Sequence, residues 1–350
     1  MKGFRRLALF LLFSVLLITF VFYFYQICYT PNILVGKEPR ELIIPDSATF
    51  KTVQQILHEG GYVQDLISFS FLARLMGYDK QIKPGRYVLR ANMNNLEAIR
   101  YLRLGRQEPV MITFNNVRLI PELAKKITRN IAMTPAAFEA ALIQFAMTNS
   151  YGFNKDNVLA MFIPNTYEVY YDVSPEGLIE RMYEEYRKFW NEERMDKAKA
   201  LGLTPVEVSI LASIVQAETV KREEAPVIAG LYINRLKKDM LLQADPTLVY
   251  AWGDFSLKRV LNQHKEIDSP YNTYKYKGLP PGPINMPEIY FIDAVLNHKP
   301  SNYLYMCARE DFSGYHNFAA TLTEHNRNAA RYQQALTREQ RKARLLNKKM

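Results

Sequence analysis

The hydrophobic pattern divides the chain into one long apolar run and a series of shorter periods. Positions 7–28 carry no charged side chain and are mostly Leu, Phe, Val, Ile and Tyr. A helix of that length reaches about 30 Å, the thickness of a bilayer's hydrocarbon core. Beyond a polar linker with Pro31 and Pro39, residues 41–45 read as a strand closed by Pro45. Phe50, Val53, Ile56 and Leu57 then fall at helical spacing, and Gly60-Gly61 ends that helix. A second helix is predicted over 63–75. Pro84-Gly85 turns into a strand at 86–90, and Asn95 is expected to cap a helix over 96–104 that Gly105 stops. Residues 110–114 open a similar strand-then-helix pattern, a weak repeat of one supersecondary unit.

From 134 to 197 the pattern is mostly helical, interrupted by an aromatic, Pro-containing loop at 162–167. The helix over 175–190 is amphipathic, and its charges read as a solvated face. After 201, apolar helices alternate with loops rich in Gly, Pro, Tyr and Asn. Chemistry concentrates in such loops on a rigid scaffold. The predicted fold class is α+β: an N-terminal transmembrane helix, a small α/β domain and a larger mixed α+β region.

Charge orients the apolar run. Lys2, Arg5 and Arg6 precede it, so the N-terminus (1–6) is expected in the cytoplasm and everything after the span (7–28) and linker (29–40) outside. Tyr23, Tyr25 and Tyr29 fit an aromatic belt at the outer interface. A cleaved signal peptide is the competing reading, but no A-x-A-like site follows the run. Lipid modification of Cys28 is a third, opposed by bulky Gln26 and Ile27 before it. Export excludes nucleic acid as a partner and turns the net charge of +10 toward the anionic cell envelope. The length of 350 residues suggests two or three domains. Two cysteines, Cys28 and Cys307, are too few for a disulfide framework. Neither joins a metal-ligand cluster, and no metal or cofactor is expected.

Thr204-Pro205-Val206-Glu207 is a strong helix start, with a capping box closed by Glu207. Leu211, Ile214 and Val215 mark the buried face of the helix that follows, and Glu218 continues that stripe. Burial disfavours an ionised carboxylate and raises its pKa, the property a general acid for glycosidic cleavage needs. The bland alternative is a helix-end carboxylate salt-bridged to Arg222 or Arg235. Glu207, Glu223 and Glu224 have ordinary capping explanations, and Asp245 before Pro246 reads as a turn residue. Ser269-Pro-Tyr-Asn-Thr-Tyr274 and Gly278-Leu-Pro-Pro-Gly-Pro-Ile284 set aromatic faces beside amides and hydroxyls, which suits sugar rings. A rigid loop with packed tyrosines is the alternative reading. His316-Asn-Phe318 adds a polar cluster.

In order along the chain, Leu211-Ala-Ser-Ile-Val-Gln-Ala-Glu218-Thr, Asn234-Arg-Leu, Leu242-Gln-Ala-Asp-Pro-Thr247, Tyr271-Asn-Thr-Tyr274, Gly278-Leu-Pro-Pro-Gly-Pro-Ile284 and His316-Asn-Phe318 resemble the YceG-like family of endolytic murein transglycosylases. The chain departs from that family's usual residues at Gln216, Asn165 and Asn115-Asn116. The resemblance implies a single-pass anchor in the inner (plasma) membrane and a LysM-like domain over 41–109. A connecting region over 110–200, a catalytic region over 201–335 and a basic tail over 336–350 complete the expected order. It implies Glu218 as the catalytic residue, with no second enzymic carboxylate. The implied reaction is cleavage of the MurNAc–GlcNAc bond in nascent peptidoglycan strands with a 1,6-anhydro end, terminating elongation beside peptidoglycan synthases. Gln243, Asp245, Tyr271, Asn272 and Tyr274 are the expected substrate-binding residues. Two other classes remain open: a noncatalytic peptidoglycan-binding scaffold, and a hydrolase with Asp245 as second carboxylate. A protease lacks a nucleophile–His pair.

Overall fold

Helix α1 (Lys2–Tyr29) leaves its large apolar side chains exposed from Phe4 to Tyr29. Among the described residues it is the one single helix long and apolar enough to cross a membrane. The computed structural model describes residues 2–36, 38–257 and 259–347. Met1, Lys37 in the expected linker, Lys258 in the expected catalytic region and 348–350 in the expected tail lie outside the described residues.

Along the chain there follow β1 (Arg40–Ile44), α2 (Phe50–Glu59), α3 (Leu66–Leu75), β2 (Gly85–Leu89), α4 (Asn95–Leu104), β3 (Val110–Phe114), α5 (Ile120–Ile127), α6 (Pro135–Thr148) and β4 (Asn165–Val169). Then come α7 (Pro175–Phe189), α8 (Glu192–Leu201), α9 (Pro205–Glu218), α10 (Ala225–Lys237), α11 (Asp245–Trp252), α12 (Ile289–Leu296), β5 (Tyr305–Ala308), β6 (His316–Ala319) and α13 (Leu322–Asn347). The strands pair as β1–β2, β3–β4 and β5–β6, so the fold is mixed α+β. The chain divides into two units: residues 1–112, 129–133 and 167–174, and residues 113–128, 134–166 and 175–350.

In the first unit β1 and β2 run antiparallel with Leu42 opposite Tyr87, and α2, α3 and α4 pack with them. The alternation of β1 buries Leu42 and Ile44 completely against Val53, Leu57, Phe69, Tyr87 and Ile99. Each such side chain contributes about 1.5–3 kcal/mol relative to exposure. Phe24, Ile27 and Cys28 bring the last turns of α1 onto this core. Two boundaries differ from the sequence reading. The second helix starts at Leu66 rather than 63, because Asp65 accepts from the amides of Ile67 and Ser68. Asn94, not Asn95, caps α4 through a capping box with Glu97. Asn95 is instead buried, and its amide donates to the Ile27 carbonyl at 2.9 Å and to Ser68 Oγ at 3.1 Å.

In the second unit α9 lies at the centre, against α8, α10, α11 and α12. The Thr204–Glu207 capping box opens it as expected. Every residue from Val208 to Val215 is buried, so α9 has no solvated face and the stripe read from sequence was only part of its contact. The serines on it are used: Ser213 Oγ accepts from Ile284 N at 3.0 Å, and its carbonyl from Asn285 Nδ2 at 2.9 Å. These bonds fix the Pro-Gly loop to the helix. Gln216, a departure from the family pattern, accepts the amide of Glu288 at 2.7 Å just before α12. The predicted loop at 162–167 becomes a strand from Asn165, because Thr113 and Thr166 hydroxyls pair at 2.8 Å across β3 and β4. The hairpin β5–β6 was not foreseen; its strands are half-buried and short, with no strong alternation. Both cysteines are free.

Gly282 sits where backbone meets backbone. A Cβ there would lie 1.7 Å from the Asp156 carbonyl oxygen. Gly282→Ala is therefore expected to cost roughly 3 kcal/mol or more, read as a fall in the thermal unfolding midpoint of the full chain. An unchanged midpoint would show that the loop shifts freely.

Candidate functional site

Glu218 is the last residue of α9, where the buried helix surfaces into an open cleft of about 400 Å³. Tyr232 on α10 donates its hydroxyl to Glu218 Oε1 at 2.6 Å. Arg235, one turn further along α10, shares the cleft and is buried. Its guanidinium donates to the Leu242 carbonyl at 3.1 Å and to Gln243 Oε1 at 2.8 Å. Neither Arg222 nor Arg235 pairs with Glu218: Arg222 binds Glu288 instead. The salt-bridged reading of Glu218 therefore does not hold.

Two motifs zip together to form the next wall. Gln243 N donates to the Thr273 carbonyl, Ala244 N to Thr273 Oγ1, and the Thr247 and Thr273 hydroxyls pair at 2.8 Å. Asn272 is fully buried; it donates to the carbonyls of Lys265 and Ile267 and accepts from Tyr274 N. That bonding aims Tyr274 at Asp245, whose Oδ1 accepts the phenol at 2.5 Å. Asp245 opens α11 rather than a turn, since Pro246 suits a first helical turn. The opposite wall is the hairpin, with Tyr305, Met306, Cys307, Ala308 and His316, together with His325 of α13. Tyr305 stacks on His325 at 5.4 Å and faces the Arg235 guanidinium at 5.5 Å. Glu224 does not cap: it is buried and accepts both the backbone N–H of His316 and its Nδ1, at 2.8 and 2.9 Å.

Residues 42–331 match the YceG-like family. The chain belongs to that family. It is 28% identical over 323 residues to an endolytic murein transglycosylase of Streptococcus pneumoniae, covering 83% of this chain and 57% of that protein. It is 37% identical over 161 residues to an endolytic murein transglycosylase of Bacillus subtilis, covering 46% and 44%. The chain thus spans little more than half the length of the pneumococcal relative. A crystal structure of a YceG-like protein from Listeria monocytogenes shares the fold with a TM-score of 0.50 at 27% identity, over 83% of this chain and 99% of that one.

In this YceG-like protein the cleft gathers Glu218, Gln243, Asp245 and Tyr274 from the sequence-predicted site residues. It does not gather Tyr271 or Asn272. Tyr271 packs into the core against Tyr250 at 4.7 Å, and Asn272 holds the loop. Tyr232, Arg235, Tyr305, His316 and His325 were not singled out as binding residues. Tyr232 and Arg235 had a usable signal, an i, i+3 pair on one helix face. The hairpin and α13 residues reach the cleft only through tertiary packing. Among the described residues no group of three or more His, Cys, Asp or Glu side chains is placed to hold a metal ion.

Electrostatics separate the groups. Glu218 keeps some solvent access, yet protein surrounds its carboxyl. Burial pushes its pKa from 4.5 up to about 7; the Tyr232 hydrogen bond opposes that rise, and the negative charge of Asp245 adds to it. Burial also raises the Tyr274 phenol, with Asp245 adding to the effect, and lowers the Arg235 and His325 values. The stability consequence has a definite sign. A carboxyl whose folded pKa lies above its unfolded value leaves the fold most stable below about 4.5 and destabilises it as pH rises through about 7. The loss is on the order of 3 kcal/mol. Glu218→Gln cannot ionise, so denaturant unfolding should find the variant more stable than wild type at pH 8 and the difference shrinking toward pH 4. An equal offset at both pH values would contradict the raised pKa.

Proposed function

We propose that this chain is a membrane-anchored lytic transglycosylase that cuts within peptidoglycan strands, with Glu218 as its acid and then its base. The observation that carries the reading is a carboxyl held by the Tyr232 hydroxyl at the mouth of a buried helix, in an open cleft of about 400 Å³, in a family whose curated relatives are named endolytic murein transglycosylases. A general acid works best when its pKa lies near the working pH.

The protonated Glu218 delivers its proton to the oxygen linking MurNAc C1 to the next GlcNAc. The C1–O bond breaks, its electron pair stays with the departing GlcNAc oxygen, and positive charge develops at C1. The Glu218 carboxylate then takes the proton of the MurNAc C6 hydroxyl as O6 bonds to C1. The 1,6-anhydro ring closes and Glu218 ends protonated, so no water is consumed. Tyr232 holds the carboxyl in place, and Asp245 lies where its negative charge favours the cationic stage. Gln243, Asp245 and Tyr274 contact the glycan, while Tyr271 and Asn272 shape the loop that presents Tyr274. A hydrolytic variant of the reaction is the second reading, because Asp245 shares the cleft and most glycosidases use two carboxylates.

In this account α1 spans the inner membrane with its N-terminus in the cytoplasm. The β1–α2–α3–β2 order of the first unit supports a LysM-like glycan-binding module over 41–109. Strand cleavage next to peptidoglycan synthases would terminate elongation.

Digestion of purified sacculi tests the proposal. Glu218→Gln should lose roughly 10²–10⁴-fold in rate, the usual contribution of a positioned acid–base group. Wild-type product masses should show 1,6-anhydro ends. Reducing ends would favour the hydrolase, and sacculus binding without any products would favour a scaffold. The first step needs protonated Glu218, so the rate should fall as pH rises through about 7. Tyr232→Phe removes a hydrogen bond that lowers the Glu218 pKa, so that limb should move to higher pH. A limb unmoved in the variant would assign it to another group.

A further inference from the structure

Helix α3 is apolar on its outer face as well as its inner one. It buries Phe69, Leu72 and Ala73 together with Ser68 and Ser70, and leaves Ile67 (83%), Phe71 (50%) and Leu75 (62%) exposed. These three lie at i, i+4 and i+8 and form one stripe along the helix. Arg74 is the one charged residue of α3, and it is exposed beside that stripe. A helix on a protein surface normally carries polar residues there. A contiguous exposed apolar face marks a surface that something covers.

The position of α3 within the first unit indicates what covers it. The Asn95 side-chain amide donates both to Ser68 Oγ, in the first turn of α3, and to the Ile27 carbonyl, in the last turns of α1. Asn32, just past the end of α1, donates to Asn95 Oδ1 at 2.6 Å and to the Asp65 carbonyl at 2.9 Å; its own Oδ1 accepts from Asp65 N at 2.7 Å. Tyr23, Gln26 and Thr30 of the α1 end line one cleft with Asp65 and Ser68. These bonds set the start of α3 beside the exit turns of the long apolar helix. Asn32 and Asn95 are both buried, so the junction is a packed one.

We infer that α3 is a second membrane contact, with the Ile67, Phe71 and Leu75 stripe lying in the headgroup–acyl boundary of the outer leaflet beside α1. An apolar helix face held in the plane of the interface is stabilised there by burial of its side chains. Arg74, whose guanidinium lies 5.8 Å from the Phe50 ring centroid, is exposed and can turn its charge toward lipid phosphates. A lipid surface fits better than a protein groove because the same packed junction that places α3 also places the bilayer exit of α1. The contact would fix how the first unit is tilted on the membrane.

This inference rests on α1 spanning the bilayer, and the experiment separates the two. The full chain, with Cys28 and Cys307 replaced by Ala, carries an environment-sensitive fluorophore on one cysteine at a time: Phe10→Cys in α1, Phe71→Cys in α3, or Lys51→Cys on the exposed side of α2. Each is reconstituted in phosphatidylethanolamine–phosphatidylglycerol vesicles. Nitroxide-labelled lipids should quench the probes at 10 and 71 and spare the one at 51, while aqueous iodide should quench only the probe at 51. Lipid quenching at 10 but not at 71 would overturn the α3 contact and leave the anchor standing. No lipid quenching at 10 would remove the anchor reading and this inference with it. Protection of position 71 from iodide without lipid quenching would mean a protein covers the stripe, and would also overturn it.

Discussion

The carboxyl of Glu218, held at the end of a helix buried from Val208 to Val215 and touched by one phenol, is the constraint around which the second unit is organised. Helix α9 is surrounded by other helices, so its last turn is the first point at which its chemistry can meet solvent. Burial supplies the raised pKa, and the Tyr232 hydrogen bond keeps the group oriented without a cationic partner that would hold it ionised. A salt bridge there would lower the pKa by stabilising the charged form. The nearby charge is instead Asp245, of the same sign, which pushes in the same direction as burial.

Much of the sequence around this group serves to build the walls of its cleft. Thr247 and Thr273 pair across two segments of the chain, Asn272 ties down the loop before Tyr274, and Ser213 pins the Pro-Gly loop to α9. The cleft is bounded on the far side by a hairpin tied down where buried Glu224 accepts from half-buried His316. Arg235 joins the walls as a buried cation whose hydrogen bonds go to a carbonyl and an amide, not to a carboxylate.

Local signals made the helices and the buried position of Glu218 legible. The Thr204 capping box, the apolar run at 7–28 and the strand ahead of Pro45 are all written in consecutive residues, and each appears in the structure at or beside the place the pattern gave it. The burial of Glu218 was readable because it continues the apolar stripe of Leu211, Ile214 and Val215. Misreadings came where tertiary partners override local preference. Asp245 looked like a turn residue but opens α11, and Asn95 looked like a cap but is spent on a buried bond to the α1 end. Glu224 lies at a helix start, yet its partner His316 is 92 residues away and no local pattern could reveal it. The pairing of β5 with β6 and the arrival of His325 at the cleft depend on packing alone.

Burial raises the Glu218 pKa to about 7, so that a large share of the carboxyl stays protonated near neutrality, and direct titration of that one group tests this most plainly. Difference infrared spectra of the full chain, wild type minus Glu218→Gln, isolate its carboxyl band as pH is varied. The account predicts conversion of the protonated to the ionised band centred at about 7. Conversion centred near 4.5, the value of an unburied glutamate, would contradict it.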